Sequence, residues 1–406
     1  MTEETAEIAI IGAGPAGAHL ASRLAEAGRE VLLFDPKGAW EKPCGGGVPT
    51  RAIREFAFIL ESSNYPRKLV RRITMISPVG RRVSLTVDEP FAIYSRKVLN
   101  GLVLDRAVES GAKFVRAAVS DFSRDGDGWR VIGDGGRSWR ARFLVGADGA
   151  ASFARRRLVG IFPKHDLALA FGYNVAVESS ASSETPPGRK GKNTEPSMDE
   201  VIVRFPKNFT GYLWAFPRPG VMNFGVASKL GEKSSDELRA LLLGFVTDCF
   251  GGRMPDSSRV SFFGAKIPTL DLKSWKGLRT SGEGWALVGD AAGFADPITG
   301  EGIYYAFKSA DLLAEALNDP SSDYARAAHA YDGLWRAAFG QELEHASYRL
   351  PQFYHGRFIG HIFTDAMIML ARYHRGVRTI LARALTGEQS YVTLKRDLMR
   401  RAFQII

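Results

Sequence analysis

A glycine-rich loop near the start of the chain has the residue types and spacing of a dinucleotide-binding turn. Gly12, Gly14 and Gly17 join a short apolar strand to a helix of small residues. The first glycine permits a tight turn, the second lets the backbone approach a pyrophosphate, and the third lets helix and strand pack closely. The first helical residues, Pro15 and Ala16, then present free N–H groups to the phosphates.

A carboxylate follows at the distance that this chemistry needs. Asp35, followed by Pro36, ends the next predicted strand. An acidic residue about 20 positions after the loop can accept hydrogen bonds from ribose hydroxyls. This arrangement favours a ribose without a 2′-phosphate, as in FAD or NAD, and does not separate the two.

A second set of motifs, late in the chain, separates these cofactors. A predicted strand at 285–288 runs into Gly289 and Asp290, and the carboxylate suits a polyol such as the ribityl chain of a flavin, which NAD lacks. A glycine-rich segment then opens another helix, whose amino end can face the flavin ring and stabilise its reduced anionic form. The residues assigned to that segment are Pro297, Gly300, Gly302 and Ile303. The sequence therefore predicts FAD.

These motifs resemble those of FAD-dependent hydroxylases and reductases with a glutathione-reductase-type nucleotide fold. Asp148 and Gly149 are similar to the middle motif of that superfamily, whose aspartate lies near the pyrophosphate. Arg96, just before a predicted helix, resembles the arginine that members place against the phosphates. Val119, at the end of a predicted strand, is assigned to the same cofactor site.

Two further stretches, at 43–48 and 211–217, resemble the geranylgeranyl reductase family, and the resemblance covers nearly the whole chain. It implies hydride delivery from reduced FAD to one carbon of an isolated alkene, with a proton added to the other. It also implies that Cys44 lies at the reactive face of the flavin. The neighbouring residues that it assigns are Gly45, Gly46 and Gly47 at the cofactor, and Tyr212, Trp214 and Phe216 along a substrate tunnel.

The residues alone leave some roles open. Tyr212, Trp214 and Phe216 alternate to one side of a strand, as an aromatic wall for a polyprenyl chain would, but an ordinary sheet core alternates in the same way. Cys44 is either a reactive group or a small apolar residue that packs. No acid is obvious, so Tyr212 or a water is the candidate proton donor. No second dinucleotide fingerprint is present, so the electron donor is expected to be external. The candidates are NAD(P)H or another reductant.

Two other functions fit parts of the pattern. A flavin monooxygenase or halogenase acting on an aromatic or polyketide substrate would share the fold and phosphate motifs, and halogenases carry a similar aromatic strand. The Pro-Cys-Gly-Gly-Gly run at 43–47 favours the reductase. A non-catalytic prenyl-lipid binder is the second alternative, but it has no use for a complete set of FAD motifs.

The elements that must position these residues predict an α/β protein. We expect a Rossmann-like FAD-binding domain interleaved with an antiparallel-sheet substrate domain, followed by a C-terminal helical region. The predicted FAD domain comprises 1–70, 92–165 and 278–335; the substrate domain 71–91 and 166–277; and the helical region 336–406. The polar segment 179–198 is predicted to be a mobile loop able to cover a pocket.

Composition limits the partners. The chain has 406 residues, 45% apolar and 24% charged, which excludes a disordered chain. Its net charge of +10 favours anionic partners, but no recognisable reading motif is present, so nucleic acid is excluded. Two separated cysteines, Cys44 and Cys249, and no zinc-like spacing predict neither a disulfide framework nor a metal site.

The tail from residue 301 onward is predicted to be helical, with basic residues interleaved among apolar ones. Such a tail can dock to an anionic membrane or orient a diphosphate, and a solvated helical face has the same pattern. The lack of a signal peptide and of an apolar run of about 20 residues predicts a cytoplasmic protein with, at most, peripheral membrane contact. The oligomeric state is not indicated.

Overall fold

The computed structural model describes residues 4–177, 196–358 and 360–402. Of the loop predicted at 179–198, only 196–198 fall within these ranges. The strands, in chain order, are β1 (Glu4–Ile11), β2 (Val31–Phe34), β3 (Gly47–Val48), β4 (Arg67–Ile76), β5 (Arg82–Tyr94), β6 (Lys113–Val115), β7 (Val119–Asp125), β8 (Gly128–Gly133), β9 (Ser138–Gly146), β10 (Leu167–Ala176), β11 (Glu200–Arg204), β12 (Gly211–Arg218), β13 (Val221–Lys229), β14 (Val260–Pro268), β15 (Ser281–Gly282), β16 (Trp285–Leu287), β17 (Arg357–Phe358) and β18 (His361–Ile362).

A π-helix at Arg336–Gly340 lies between the ninth and tenth α-helices. In order, they are α1 (Pro15–Glu26), α2 (Thr50–Glu55), α3 (Phe58–Glu61), α4 (Arg96–Glu109), α5 (Phe153–Leu158), α6 (Ser235–Cys249), α7 (Leu272–Lys276), α8 (Ile303–Asn318), α9 (Tyr324–Trp335), α10 (Gln341–His355), α11 (Phe363–Tyr373), α12 (Arg375–Leu385) and α13 (Leu394–Ala402).

The first sheet carries the glycine-rich loop and is parallel at its centre. β1 pairs in parallel with β2 on one side and β9 on the other, and β6 and β16 continue the sheet in parallel. β15 and the β7–β8 hairpin are added antiparallel. α1 packs between α4 and α8. The predicted α/β class with a Rossmann-like unit is confirmed.

Continuous apolar runs explain why β1 and β2 lie inside this sheet. Residues 8–11 and 31–34 are all apolar and at most 6% exposed. Such runs are typical of parallel strands that are covered by helices on both faces. α1 begins at Pro15, whose fixed φ suits the first turn of a helix. The strand, the turn and the helix are thus all specified locally.

The second sheet has the order β14-β10-β13-β12-β11-β4-β5-β3. It differs from the predicted antiparallel sheet at one junction, because β4 and β11 run parallel. These two strands come from distant parts of the chain and share no hairpin, so no tight turn forces them antiparallel. The sheet also extends beyond the predicted segment 71–91, since it includes β3 and all of β4 and β5.

Different elements cover the two faces of the second sheet. On one face, Leu213 and Ala215 of β12 pack in a core with α6. On the other, β4, β5 and β11 form a core with α10, α11 and α12, against which Tyr212 and Phe216 pack. Alternate residues of β12 therefore point to opposite sides. Among the helices described, none is both long and apolar enough to cross a bilayer.

Candidate active site

A cavity of about 1800 Å³ begins at the carboxyl ends of the strands of the first sheet and continues along the second sheet to the C-terminal helices. Most small-molecule sites measure about 300–1000 Å³. The cavity therefore has room for a dinucleotide together with a second ligand. Its far half is lined largely by apolar side chains of β4, β5, β11, α11 and α12.

The glycine loop opens into one end of this cavity. Gly12 has a φ of +105°, which only glycine adopts easily. A side-chain carbon on Gly17 would lie 1.9 Å from the carbonyl oxygen of Gly12, whereas one on Gly14 would meet no atom within 4 Å. No side chain caps the amino end of α1. Its free N–H groups and the space above Gly14 suit a pyrophosphate.

Asp35 is fixed beside this loop by three backbone donors. Its carboxylate accepts hydrogen bonds from the N–H groups of Ala13 at 3.0 Å, Lys37 at 2.8 Å and Gly38 at 2.9 Å. These bonds hold the carboxylate at the cavity wall in one orientation. A carboxylate has about four acceptor sites, so it can still accept from a ribose hydroxyl.

The late turn meets the early loop. Gly289, with a φ of +57°, packs on Ala16; a side-chain carbon there would lie 2.9 Å from that of Ala16. Asp290 forms an ion pair with Lys42 at 2.9 Å. Gly302, just before α8, lies against the Asp290 carboxylate. Lys42 was missed by the sequence analysis, because its partner is 248 positions away.

Arg96 provides an observation that points to an anionic ligand. It is 4% exposed, and its Nη2 donates to Oδ1 of Asn100 at 3.3 Å. Its Nε has no hydrogen-bond partner among residues 4–177, 196–358 and 360–402. Buried polar nitrogens normally find an acceptor. With the uncapped helix and the fixed carboxylate, this arginine fits FAD.

The carboxylate of Asp148 is engaged within the fold. Its carboxylate accepts from the N–H groups of Phe153 at 2.6 Å and Ala154 at 3.0 Å, and from the hydroxyl of Ser152. It therefore caps the amino end of α5. Burial raises its pKa, although these hydrogen bonds oppose the rise. Asp148 lines the cavity, but its carboxylate serves the fold.

The structure brings most of the predicted site residues to this one cavity. Gly17, Gly289 and Pro297 are not among its lining residues. Those that line it are Gly12, Gly14, Pro15, Ala16, Asp35, Pro36, Cys44, Gly45, Gly46, Gly47, Arg96, Val119, Asp148, Gly149, Asp290, Gly300, Gly302, Ile303, Tyr212, Trp214 and Phe216.

Close packing explains the glycines after Cys44. A side-chain carbon on Gly45 would lie 2.8 Å from the ring of Phe216, and one on Gly46 would lie 1.9 Å from the carbonyl oxygen of Tyr94. Gly46 also has a φ of +81°. Its N–H donates to the sulfur of Cys44 at 3.3 Å. The glycines thus let the loop lie directly on the aromatic strand.

Two residues that the sequence analysis missed hold this loop. Arg218 donates to Oε1 of Glu41 at 2.8 Å and to the carbonyl oxygen of Cys44. Glu41 accepts from the N–H of Arg96 at 3.1 Å, at the start of α4. Arg218 continues the alternation of the aromatic residues on β12, which is the signal that would have found it. Glu41 gives no such signal.

These arginines change the acidity of the thiol. Burial would raise the pKa of Cys44, but the positive charge of Arg96, the N–H of Gly46 and the charge of Arg218 together lower it below its ordinary value. A lowered pKa is typical of a functional cysteine rather than of one that only packs. The environment of Cys44 is therefore electropositive.

The aromatic residues of β12 form one wall of the cavity. The ring centroids of Tyr212 and Trp214 are 5.9 Å apart, and those of Trp214 and Phe216 are 6.3 Å apart. Nε1 of Trp214 donates to Oδ1 of Asn223 at 2.7 Å, and Gly225 leaves the space that the indole fills. A buried hydrogen bond thus fixes the wall at its centre.

Acidic groups lie at the start of α8. Asp296 is 5% exposed and accepts from the hydroxyl of Tyr391 at 2.7 Å. Glu301 accepts from the N–H of Tyr304 at 2.7 Å. Burial, with repulsion from Asp296 and against the attraction of Arg51, raises the pKa of Glu301 to about 7. No sequence pattern marks these two acids, because only the fold buries them.

Gly17→Ala and Gly14→Ala should distinguish a glycine needed for stability from a glycine needed for cofactor binding. The methyl group of Gly17→Ala overlaps the backbone of Gly12, so we expect the free energy of unfolding of the flavin-free protein to fall by about 2 kcal/mol. Gly14→Ala has space, so it should keep that stability while weakening FAD binding. Denaturant unfolding and flavin absorbance measure the two effects. Equal destabilisation by both changes would contradict this account.

Glu301→Gln should flatten the pH dependence of stability. The folded protein favours the protonated acid, so the wild type loses this stabilisation as pH rises from about 4.5, the ordinary pKa, through about 7. The amide stays neutral and keeps an acceptor for Tyr304. Melting temperatures at pH 5 and pH 8 should therefore differ less in the variant. Identical pH slopes in both proteins would show that this carboxyl does not titrate as described.

Comparisons with known proteins identify relatives of this chain. Residues 5–187 match the FAD binding domain family. A geranylgeranyl diphosphate reductase of Rhodobacter capsulatus is 30% identical over 76% of this chain and 73% of that protein. A digeranylgeranylglycerophospholipid reductase of Methanoculleus marisnigri is 29% identical over 86% of each. The fold is similar to the crystal structure of a geranylgeranyl bacteriochlorophyll reductase-like protein of Thermoplasma acidophilum, with a TM-score of 0.75 and 20% sequence identity. The match covers 98% of this chain and 100% of that one.

The identity to the Rhodobacter capsulatus protein holds over most of both chains. The chain belongs to the geranylgeranyl reductase family and is an FAD-dependent oxidoreductase.

Proposed function

We propose that the protein reduces carbon–carbon double bonds of an isoprenoid chain, the substrate class named in its geranylgeranyl relatives. The apolar half of the cavity carries this proposal, because it starts at the aromatic wall beside Cys44 and continues between the second sheet and the C-terminal helices. A polyprenyl chain gains about 25 cal/mol for each Å² of apolar surface that such a cavity removes from water.

The residues of the chain bind and orient the substrate. FAD, when bound, supplies the hydride for one alkene carbon, and a proton completes the addition at the other. Tyr212, Trp214 and Phe216 form a rigid surface against which an alkene can lie. The surrounding apolar side chains exclude water from the reacting carbons. The electron donor in this proposal is NAD(P)H or another external reductant.

Cys44 is better suited than Tyr212 to move a proton. The hydroxyl of Tyr212 donates to the carbonyl oxygen of Thr299. Burial, Cys44 and Asp296 raise the pKa of Tyr212 well above its ordinary value, so its proton is held tightly. The positive charges around Cys44 lower the pKa of its thiol, so the thiol gives up its proton more readily than the hydroxyl of Tyr212 does. We therefore assign to Cys44, rather than to Tyr212, the role of proton donor at the reactive face of the flavin.

The cavity rim suits contact with a membrane surface. Tyr348, Phe358 and Met399 line the cavity and are 64%, 42% and 54% exposed. Basic residues of α12 and α13 lie on the same helical region. An apolar rim with basic neighbours fits peripheral contact with an anionic bilayer, and we propose this contact, in the cytoplasm, as the route by which a lipid substrate enters.

The reaction is tested with the purified flavoprotein. We expect protein that is reduced with dithionite without oxygen to convert geranylgeraniol or geranylgeranyl diphosphate to products heavier by pairs of hydrogen atoms, as measured by mass spectrometry. Oxygen-dependent modification of an aromatic substrate, with no prenyl reduction, would instead favour the monooxygenase or halogenase. A colourless protein that binds prenyl chains would favour the non-catalytic binder.

Cys44→Ser should keep FAD but slow turnover. The hydroxyl is similar in size to the thiol and loses its lowered pKa, so we expect kcat to fall by about 100-fold, the lower end for general acid–base catalysis. Cys249→Ser is the control, because Cys249 ends α6, lies outside the cavity lining, and has a pKa raised by burial to about 11. Wild-type turnover by flavin-loaded Cys44→Ser would exclude an active role for this thiol.

A further inference from the structure

We propose that a basic pocket between α12 and α13 binds the phosphate or diphosphate headgroup of the substrate while its chain occupies the main cavity. This inference rests on the proposed function, since it concerns the polar end of the same isoprenoid molecule.

The pocket has a volume of about 410 Å³. Its lining consists of Arg383 from α12, Arg400 and Arg401 from α13, and Gln389 and Asp397. Gln389 also lines the main cavity, so the two spaces adjoin at this residue. The three arginine side chains therefore line a space next to the main cavity.

Helices α12 and α13 present apolar residues to the main cavity and basic residues to the pocket. On α12, Leu381 and Leu385 line the main cavity, whereas Arg383, between them in sequence, lines the basic pocket. On α13, Leu394 and Leu398 line the main cavity. The arginines that follow them line the pocket. Apolar and basic surfaces therefore meet along one helical pair, as an amphiphile with an anionic head requires.

The charges of the pocket favour an anion. Three arginines and one aspartate give the lining a formal charge of +2. Asp397 is engaged within the fold, because it accepts from the Thr393 hydroxyl at 2.6 Å and from Nε2 of Gln389 at 2.9 Å. Its nearest cation is Arg396, at 3.6 Å, which lies outside the lining.

The arginines are available to a ligand. Over residues 4–177, 196–358 and 360–402, no ion pair involves the guanidinium group of Arg383, Arg400 or Arg401. Guanidinium groups bind phosphate oxygens with two parallel hydrogen bonds. A solvated helical face has no need to bring several such groups together. Three such side chains line one pocket next to an apolar cavity, and this arrangement distinguishes a headgroup site from a merely basic surface.

The test compares ligands that differ only in the headgroup. Binding of geranylgeranyl diphosphate and geranylgeraniol to the FAD-loaded protein is measured by calorimetry for the wild type, Arg383→Gln and Arg401→Gln. We expect each variant to raise the Kd for the diphosphate about 10-fold, since a hydrogen bond to a charged group contributes that much, and to leave the alcohol unchanged. Arg375→Gln, on α12 but outside both linings, removes the same charge and should change neither.

The source of the headgroup is distinguished by a phospholipid with geranylgeranyl chains, presented in detergent micelles. If the arginine substitutions raise the Kd for either phosphate ligand, the result supports the site. The ligand whose Kd rises more identifies the headgroup. Unchanged affinity for both phosphate ligands in both variants would overturn the proposal. The proposal would also be overturned if the arginine variants lost binding to vesicles of phosphatidylcholine and phosphatidylglycerol and to nothing else. These arginines would then be a membrane contact.

Turnover separates this inference from the proposed reaction. If the wild type binds the diphosphate in an arginine-dependent manner but reduces no double bond, the headgroup site stands and the reaction fails. If reduction occurs with the same KM in Arg383→Gln, Arg401→Gln and the wild type, the reaction stands and the headgroup site fails.

Discussion

The close approach of α1 to the end of β1 is the constraint on which the site depends. Gly17 lies so near the carbonyl oxygen of Gly12 that no side chain fits between them. This contact aims the uncapped end of α1 into the cavity and sets the position of Ala16, on which Gly289 rests. Asp290, the next residue, then reaches Lys42. A contact within six residues thus fixes the meeting of Lys42 and Asp290, which are 248 positions apart in sequence.

The parts of the site that were predictable from the sequence are those specified locally. The glycine loop, Asp35 and the alternation of β12 each follow from the conformations of a few consecutive residues. Long-range pairs gave no local signal: Lys42 with Asp290, and Tyr391 with Asp296, are partners only in the folded chain. The parallel junction of β4 and β11 was unpredictable for the same reason.

Burial raises the pKa of both Cys44 and Glu301, yet the net shifts of these two cavity-lining groups have opposite signs. Around Cys44, positive charge from Arg96 and Arg218 outweighs burial and lowers the pKa of the thiol. At the start of α8, burial and Asp296 outweigh the positive charge of Arg51 and raise the pKa of Glu301. The lowered pKa of Cys44 and the raised pKa of Glu301, at about 7, thus place two groups with shifted acidity in one cavity.

The far wall of the cavity is made by residues that come late in the chain. β4, β5 and β11 provide one side, and α10, α11 and α12, all beyond residue 340, provide the other. During synthesis, the apolar face of the second sheet is therefore complete before the helices that cover it leave the ribosome. Each new molecule passes through a stage in which that face is open to water and prone to association, so its yield in the cell depends on how quickly the last helices dock.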